Sequence, residues 1–390
     1  MTNTKILRKG SRSMPIAAPR VEPTNRIYSL DLLRGLASLS VCWFHLTTFH
    51  YPTPDGPIYH LVKAAGAYGW LGVEVFFVIS GFVIPYSLNR AGYNLKAYPT
   101  FILKRILRLD PPYLVTIALI LLLAYAYAFY SGRPARVGDS PIGLVRVLLH
   151  LGYLNMFLRY EWLNPNFWTL AIEFQYYLLM GLCFSLINSN KRFVRVAALG
   201  CFAVTGFFSV PSLLSEGVPY NSFIFYFAFL FVMGIVTFQR QADLTGTKEY
   251  LAFLLVTAVG AVLTVGVAPT LAGLFTVVII NLYNKKNAIA RFFGNISYSL
   301  YLLHWPLGHL TLSLVGSKLL GASGDGARIL VLAFTLAVVL ASSYALYLLV
   351  EKPAQRWSAS IGYRTGRSRP PLETASGLAP DLIAESSTSG

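Results

Sequence analysis

The chain has 390 residues, of which 55% are hydrophobic and only 12% are charged, whereas about 25% are charged in an ordinary soluble domain. A water-soluble domain cannot bury so much apolar side chain without leaving most of its surface apolar. The composition therefore excludes a soluble globular protein, a disordered chain and a disulfide-built secreted module. It indicates a protein whose solvent is lipid.

The net charge of +16 comes from basic residues in short clusters between apolar runs. This arrangement is typical of loops at the cytoplasmic face of a membrane, so membrane lipid, and not nucleic acid, is the expected partner. The three cysteines, Cys42, Cys183 and Cys201, lie inside apolar runs without the spacing of metal ligands. We expect them to fill the core, and we predict no metal site.

Three regions follow from the composition along the chain. Residues 1–26 are predicted to form a disordered, basic cytoplasmic tail, residues 27–353 the membrane domain, and residues 354–390 a second disordered cytoplasmic tail that is rich in Ser, Pro, Gly and Ala from 360 onward. The membrane domain contains ten apolar runs, several of them close to the ~20 residues that a helix needs to cross a bilayer. They lie near 30–50, 69–88, 112–130, 167–188, 193–211, 222–239, 250–267, 269–284, 295–315 and 328–350.

The basic clusters predict the orientation of these runs. Clusters follow the runs that end at 88 and 188, which places both of those ends inside. Residues 131–166 must then stay outside as one excursion, with 142–158 lying on the membrane or re-entering it. The prediction is an all-α integral membrane protein with about ten transmembrane helices and both termini cytoplasmic.

The first run carries three ionisable side chains, Asp31, Arg34 and His45. Arg34 and His45 are 11 residues apart, which returns to nearly the same helix face about 16 Å further along. A charged group in hydrocarbon is costly, so each of the three requires a reason. Asp31 and Arg34 are either an interfacial ion pair or part of a site. His45 is either a core histidine or a catalytic base.

Two carboxylates are predicted at the depth of His45. Glu74 and Glu173 each lie about six residues into a run that leads inward. By the rise per residue, we expect both carboxylates and the His45 imidazole to face one polar cavity that opens to the outside. In the ninth run, His304 is open to a functional or a structural interpretation, whereas His309 is predicted to be structural.

Arg105 and Arg108 precede the third run in FILKRILRLDPPY. Their i,i+3 spacing suits two phosphate oxygens. On spacing alone, an ordinary cluster of basic residues on anionic lipid explains them better. The sequence has no phosphate-binding glycine loop, dinucleotide fingerprint or zinc motif.

Six stretches, in order, resemble the acyltransferase family 3 of integral-membrane O-acyltransferases. They are LDLLRGLA through His45, GWLGVEVFFVISGF from 69, residues 101–111, WTLAIEFQYY from 168, ISYSLYLLHWP from 296, and Glu351-Lys-Pro. Members of this family acylate bacterial surface glycans and some small molecules. The resemblance implies a multi-pass protein of the bacterial cytoplasmic (inner) membrane. Some members add an extracytoplasmic esterase-like domain, which we do not expect here because the chain ends at 390.

The resemblance also implies roles for individual residues. Arg34 and His45 match the family's Arg-x10-His pair, and Arg105 and Arg108 match its Arg-x-x-Arg element for acyl-CoA, which reverses the interpretation from spacing. The catalytic residues implied are thus His45, Glu173, Arg34 and Asp31, with Glu74, His304 and Trp168 in supporting positions. No tightly bound cofactor is expected, and acyl-CoA is the co-substrate, by default acetyl-CoA.

The functional hypothesis is acyl transfer from cytoplasmic acyl-CoA to an acceptor hydroxyl. His45 would act as base or carry the acyl group itself, with Glu173 or Glu74 orienting its imidazole. The acceptor is a glycan, a lipid-linked saccharide or a secreted small molecule, and the acyl group is acetyl, succinyl or longer. The alternatives are a secondary transporter with proton-coupled His and Glu and a non-catalytic membrane scaffold. Oligomeric state has no signature in the sequence.

Overall fold

The structure is a computed structural model that describes residues 27–49, 55–208, 223–319 and 324–363. The predicted tail at 1–26 lies outside these residues. Helices dominate the described chain, and they are α1 (Tyr28–Thr47), α2 (Pro57–Gly66), α3 (Gly72–Arg90), α4 (Tyr98–Ser131), α5 (Leu144–Leu148), α6 (Trp168–Ile187), α7 (Arg192–Phe208), α8 (Ala228–Gln241), α9 (Thr247–Thr264), α10 (Val267–Leu282), α11 (Ala288–Thr311), α12 (Asp325–Leu346) and α13 (Lys352–Ser360).

The ten predicted apolar runs each overlap one long helix, namely α1, α3, α4 and α6 to α12. Six helical segments within the described residues are long and apolar enough to cross a membrane: Pro57–Arg90, Leu95–Ser131, Pro165–Ile187, Ile224–Gln241, Thr247–Thr264 and Asp325–Ser360. The chain is therefore a helical, multi-pass membrane protein. The total of ten crossings and the cytoplasmic position of both termini stay predictions.

The excursion between α4 and α6 contains the strands that the described residues form. Arg136–Val137 (β1) pairs antiparallel with Ser140–Pro141 (β2), and the five-residue helix α5 follows. At about 1.5 Å per residue, a helix of that length cannot cross a bilayer. The segment instead folds back against α4, where the Tyr153 hydroxyl donates to Asp110 at 2.9 Å.

A single buried arginine holds the excursion together. The Arg146 side chain is 3% exposed, and its guanidinium donates to five backbone carbonyl groups. The acceptors are the carbonyl oxygens of Val137, Ser140, Pro141, Glu161 and Trp162, at 2.9–3.3 Å. These bonds replace the regular secondary structure that this loop largely lacks, since buried carbonyl groups need donors.

The second tail was predicted to begin at residue 354, which is too early, because the helix α13 continues past that residue. Residues 352–360 form α13, which lies against α4 through a reciprocal contact. Lys104 Nζ donates to the carbonyl oxygens of Ser358 and Ile361 at 2.6 and 2.5 Å, and the Ser358 hydroxyl donates back to the Lys104 carbonyl at 2.7 Å. A lysine at the end of a helix satisfies its last carbonyl groups. Residues 364–390 lie outside the described part of the chain.

Helices α1 and α11 run side by side with very close backbones. A Cβ atom added at Gly294 would lie 2.6 Å from the Asp31 carbonyl oxygen, and one added at Gly35 would lie 2.8 Å from Phe293 Cβ. Small residues allow such approach between helices in lipid. The contact brings the polar side chains of α1 beside those of α11.

The C-terminal end of α1 is covered by α2. Trp43 Nε1 donates to the Val62 carbonyl at 3.3 Å. Ahead of α2, Asp55 accepts from Lys63 at 2.6 Å and from the fully buried Arg328 of α12 at 2.5 Å. Since a buried guanidinium needs its partner, this pair joins α2 to α12.

Helices α3 and α8 cross in the main apolar core, where two glycines permit the contact. A Cβ atom added at Gly81 would lie 2.2 Å from the Phe231 carbonyl oxygen, and one added at Gly234 would lie 2.2 Å from that of Val78. Both clashing atoms belong to backbone, which cannot move aside without separating the helices.

We expect Gly234→Ala to destabilise the protein by about 1–3 kcal/mol, the usual cost of overpacking a core. The measurement is the thermal unfolding temperature in detergent, which should fall. Gly200→Ala is the matched control, because Gly200 lies in α7 with open space around its Cβ position. Alanine favours a helix over glycine, so this variant should be neutral or slightly more stable. Equal effects of the two substitutions would contradict the helix-crossing argument.

Candidate active site

A cavity of about 440 Å³ lies between α1, α3, α4, α6 and α11, within the range of small-molecule sites. Its wall combines charged and hydroxyl groups with apolar side chains. The polar lining residues are Asp31, Arg34, Ser80, Tyr86, Ser87, Arg105, Arg108, Thr169, Glu173, Tyr177, Asn295, Ser297, Tyr298, Tyr301, Glu351 and Gln355. The structure thus brings together five of the residues singled out in the sequence: Asp31, Arg34, Arg105, Arg108 and Glu173.

Three guanidinium groups make this cavity basic on two of its walls. Arg34 comes from α1, while Arg105 and Arg108 come from one face of α4, as their i,i+3 spacing predicts. The Arg105 guanidinium also lies 5.4 Å from the centre of the Tyr177 ring, which helps to hold it in place. Within the described residues these three arginines form no ion pair, so they are available to an anionic ligand.

Glu173 lies with these arginines and not with His45. Its Oε1 accepts a hydrogen bond from Ser80 at 2.9 Å and a short one from Tyr177. Ser80 is six residues, or about 9 Å of helix rise, further along α3 than Glu74. The prediction that His45, Glu74 and Glu173 face one cavity is therefore wrong, because Glu173 alone of the three is on its wall. The position of a residue along its helix predicts its depth in the membrane, but it does not predict the direction in which its side chain points.

Glu351 is a cavity residue to which the sequence argument assigned no role. The chain forms a π-helix over Tyr347–Glu351, and Glu351 Oε2 accepts from the Ser299 hydroxyl at 2.6 Å. Gln355 Nε2 donates to the other carboxylate oxygen at 2.9 Å. Single-turn π-helices often occur at functional sites. The sequence feature that could have pointed to this residue was the Glu351-Lys-Pro stretch of the family resemblance.

His45 belongs to a second group of side chains, beside the cavity. Its ring centre lies 5.3 Å from that of His304 and 5.0 Å from that of Trp305, both on α11. Within the described residues the His45 ring has these aromatic contacts and no hydrogen bond. The structure thus places His45 and His304 together, which the sequence had not paired.

Tyr301 connects the two groups. Tyr301 lines the cavity, and its hydroxyl shares a 2.7 Å hydrogen bond with Thr169. Its ring centre lies 5.7 Å from that of His304, one helical turn away. The path from the basic cavity to His45 therefore passes two neighbouring rings. Sequence reasoning gave no role to Tyr301, although it lies within the ISYSLYLLHWP stretch.

The remaining candidates lie elsewhere. Glu74 is 6% exposed, and its Oε2 is buried with no hydrogen-bond partner among the residues that the structure describes. Trp168 stacks on Phe227 with ring centres 5.8 Å apart, as part of the apolar core. The ring centre of His309 lies 3.9 Å from that of Trp305, and the structural role of His309 stays a prediction. Among the described residues, no cluster of His, Cys, Asp or Glu could hold a metal ion.

These features define a class of protein. The chain is a multi-pass membrane protein in which a cavity with three arginines lies beside a pair of histidines, the half-buried His45 and the buried His304. Arginine clusters bind phosphate oxygens, and a histidine near neutral pH can accept a proton from a hydroxyl group. Such an arrangement suits group transfer from a phosphate-bearing donor.

Comparison with known proteins agrees with this class. A family model described as an acyltransferase domain matches residues 27–348, so the chain belongs to the acyltransferase family 3. The resemblance inferred from the sequence is confirmed, and the protein is a membrane acyltransferase by family.

Three relatives extend the comparison over most of the chain. The acyltransferase MdmB of Streptomyces mycarofaciens is 28% identical over 85% of this chain and 92% of its own. BcsY of Komagataeibacter xylinus, whose name assigns it as a membrane-bound transacylase, is 26% identical over 85% of this chain and 83% of its own. ORF330 of Acidianus two-tailed virus carries an acetyltransferase name and is 26% identical over 73% of this chain and 84% of its own. No solved structure matches the chain.

Proposed function

We propose that the protein transfers an acyl group, by default acetyl, from acyl-CoA to a hydroxyl of a glycan, a lipid-linked saccharide or a small molecule. The observation that carries this proposal is the position of the arginine cavity directly beside the His45–His304 pair. A donor with several phosphates and a long thioester arm needs both a cationic site and a remote reaction site.

Arg105 and Arg108 would hold phosphate oxygens of the donor, because guanidinium groups bind them by charge-assisted hydrogen bonds. Both line the cavity from α4, the helix that packs against α13. Arg34, on the opposite wall, would hold a further part of the donor. Glu173 and Glu351 each accept hydrogen bonds from neighbouring hydroxyl groups, which keeps these carboxylates at fixed positions among the arginines.

His45 would serve as the general base. It takes the proton of the acceptor hydroxyl while the hydroxyl oxygen attacks the thioester carbonyl carbon. The carbon–sulfur bond then breaks, and the sulfur leaves as the thiolate, which receives that proton from His45. The products are the acylated acceptor and CoA. A route in which the imidazole itself carries the acyl group gives the same products.

The reaction would take place in the bacterial cytoplasmic membrane, with donor entry from the cytoplasm and no tightly bound cofactor. The two CoA phosphate-binding residues lie on α4, and the acceptor would reach His45 from the outer side, below the cover formed by α2. The acylated product would leave on that side.

The test is release of CoA from acetyl-CoA by the purified protein in lipid nanodiscs, with and without acceptors. The acceptors are a panel of mono- and disaccharides together with a lipid-linked saccharide. CoA release that requires an acceptor, with transfer of labelled acetyl to it, is the expected result. Absence of acetyl-CoA binding to the wild-type protein would overturn the proposal and favour the transporter alternative.

A further inference from the structure

The turn ahead of α6 and the first turn of α6 are tied to α11 by side-chain hydrogen bonds. Asn164 Nδ2 donates to the Leu302 carbonyl at 3.0 Å, Asn166 Nδ2 lies 2.9 Å from His304 Nε2, and Thr169 shares its bond with Tyr301. The first tie reaches a backbone carbonyl. The Asn166 bond reaches the His304 side chain, which faces His45. It can therefore affect the chemistry at His45, whereas the Asn164 bond cannot.

Both nitrogens of His304 have assigned partners. Nδ1 lies 3.1 Å from the Leu300 carbonyl oxygen, which can only accept, so Nδ1 carries a proton. Nε2 then accepts from the Asn166 amide, and the ring is neutral. His304 is fully buried and Asn166 is 6% exposed, so water does not compete for either bond.

The neighbouring His45 ring is in a different situation. It has no hydrogen-bond partner within the described residues, and it meets the His304 ring at an angle of 31°. The other titratable rings close to the pair are Tyr301, one turn below, and His309, on the far side of Trp305. Of the two paired histidines, only His45 has nitrogens free to take a proton from a substrate.

We propose that Asn166 is a positioning residue for acyl transfer, which donates its amide hydrogen to His304 and so fixes that ring, neutral, against His45. This inference rests on the proposed function. His304 does not exchange protons with the substrate. It forms one side of the site, in one orientation and without charge, and leaves the proton to His45.

The experiment compares Asn166→Asp with Asn164→Asp, which places the same charge two residues away in the same turn. An aspartate at 166 accepts a hydrogen bond and does not donate one, so Nε2 takes up a proton and His304 becomes positively charged at 5.3 Å from His45. A second positive charge disfavours protonation of His45 and makes it a weaker base. Asn164→Asp keeps the side-chain oxygen that accepts from the backbone N–H of Asn166. It loses only the side-chain bond to the Leu302 carbonyl.

We expect Asn166→Asp to lower kcat for acceptor-dependent CoA release about 10-fold or more, with the KM for acetyl-CoA within twofold of wild type. The acid limb of its pH–rate profile should move to lower pH. Asn166→Leu, which leaves Nε2 without a donor, should lower kcat without moving that limb. Asn164→Asp should leave the profile in place. Equal profiles for the two aspartate variants would overturn the proposal.

A second measurement does not depend on activity. Nitrogen NMR of ¹⁵N-histidine-labelled protein reports which ring nitrogen carries the proton, and His304→Gln identifies the resonance of His304. We expect a neutral, Nδ1-protonated ring in the wild type and in Asn164→Asp, and a doubly protonated ring in Asn166→Asp. In Asn166→Leu the ring should stay neutral and Nδ1-protonated, with a shifted Nε2 resonance because that nitrogen has lost its donor. A wild-type His304 protonated at Nε2 would overturn the inference. If the wild-type protein transfers no acetyl group, the proposed function fails, and the NMR result still decides whether Asn166 fixes His304.

Discussion

Replacing His45 by alanine is expected to lower acceptor-dependent CoA release by about 10²- to 10⁴-fold, the usual contribution of a positioned general base. The His45 ring lies beside His304 and outside the wall of the arginine cavity. Its loss should therefore leave acetyl-CoA binding nearly unchanged. The measurement is steady-state kinetics together with calorimetric titration of acetyl-CoA on the same preparation.

His60→Ala provides the matched control, because His60 is an exposed histidine on α2. It should keep wild-type kinetics. A His45→Ala protein that retains full turnover would show that His45 is a core histidine, the other interpretation open from the sequence. Loss of donor binding together with turnover would instead assign His45 to the donor site.

Arg108→Ala should have the opposite signature. A hydrogen bond to a charged group is worth about 1.5–3 kcal/mol, so the Kd for acetyl-CoA should rise about 10- to 100-fold. Since Arg108 lies on the cavity wall and away from the histidine pair, kcat at saturating donor should change far less. The affinity loss should shrink for a donor analogue without the phosphates, such as an acetylated pantetheine.

Arg291→Ala is the control for this variant. Arg291 is an exposed arginine of α11 that is absent from the cavity wall, so its removal lowers the net charge equally without touching the cavity. Equal loss of affinity in both variants would assign the effect to overall charge. Unchanged affinity in Arg108→Ala would contradict donor binding in the cavity.

The sequence predicted the helices well because their signal is local. Each apolar run of about 20 residues corresponds to one helix, as hydrocarbon requires backbone groups to be satisfied within the segment. The common face of Arg105 and Arg108 was predictable for the same reason, since helical spacing alone determines it.

The arrangement within the site was not predictable in this way. Hydropathy fixes how deep a residue lies but not how its helix is rotated or which neighbour it faces. Glu173 accordingly lines the cavity of Arg34, Arg105 and Arg108, to which His45 does not belong. The Asn166–His304 contact joins residues 138 positions apart, and no pattern in one sequence connects such a pair.

The hydrogen bonds from the Arg146 side chain to backbone carbonyl groups affect which substitutions the loop between α4 and α6 can tolerate. The guanidinium recognises carbonyl groups, and the carboxylate that pairs with it, of Glu161, is half exposed. Every amino acid carries the same carbonyl group, so substitutions at the five acceptor positions leave this anchor intact. One side chain can therefore hold this loop while the side chains on its surface change, so a new loop surface does not require a new loop fold.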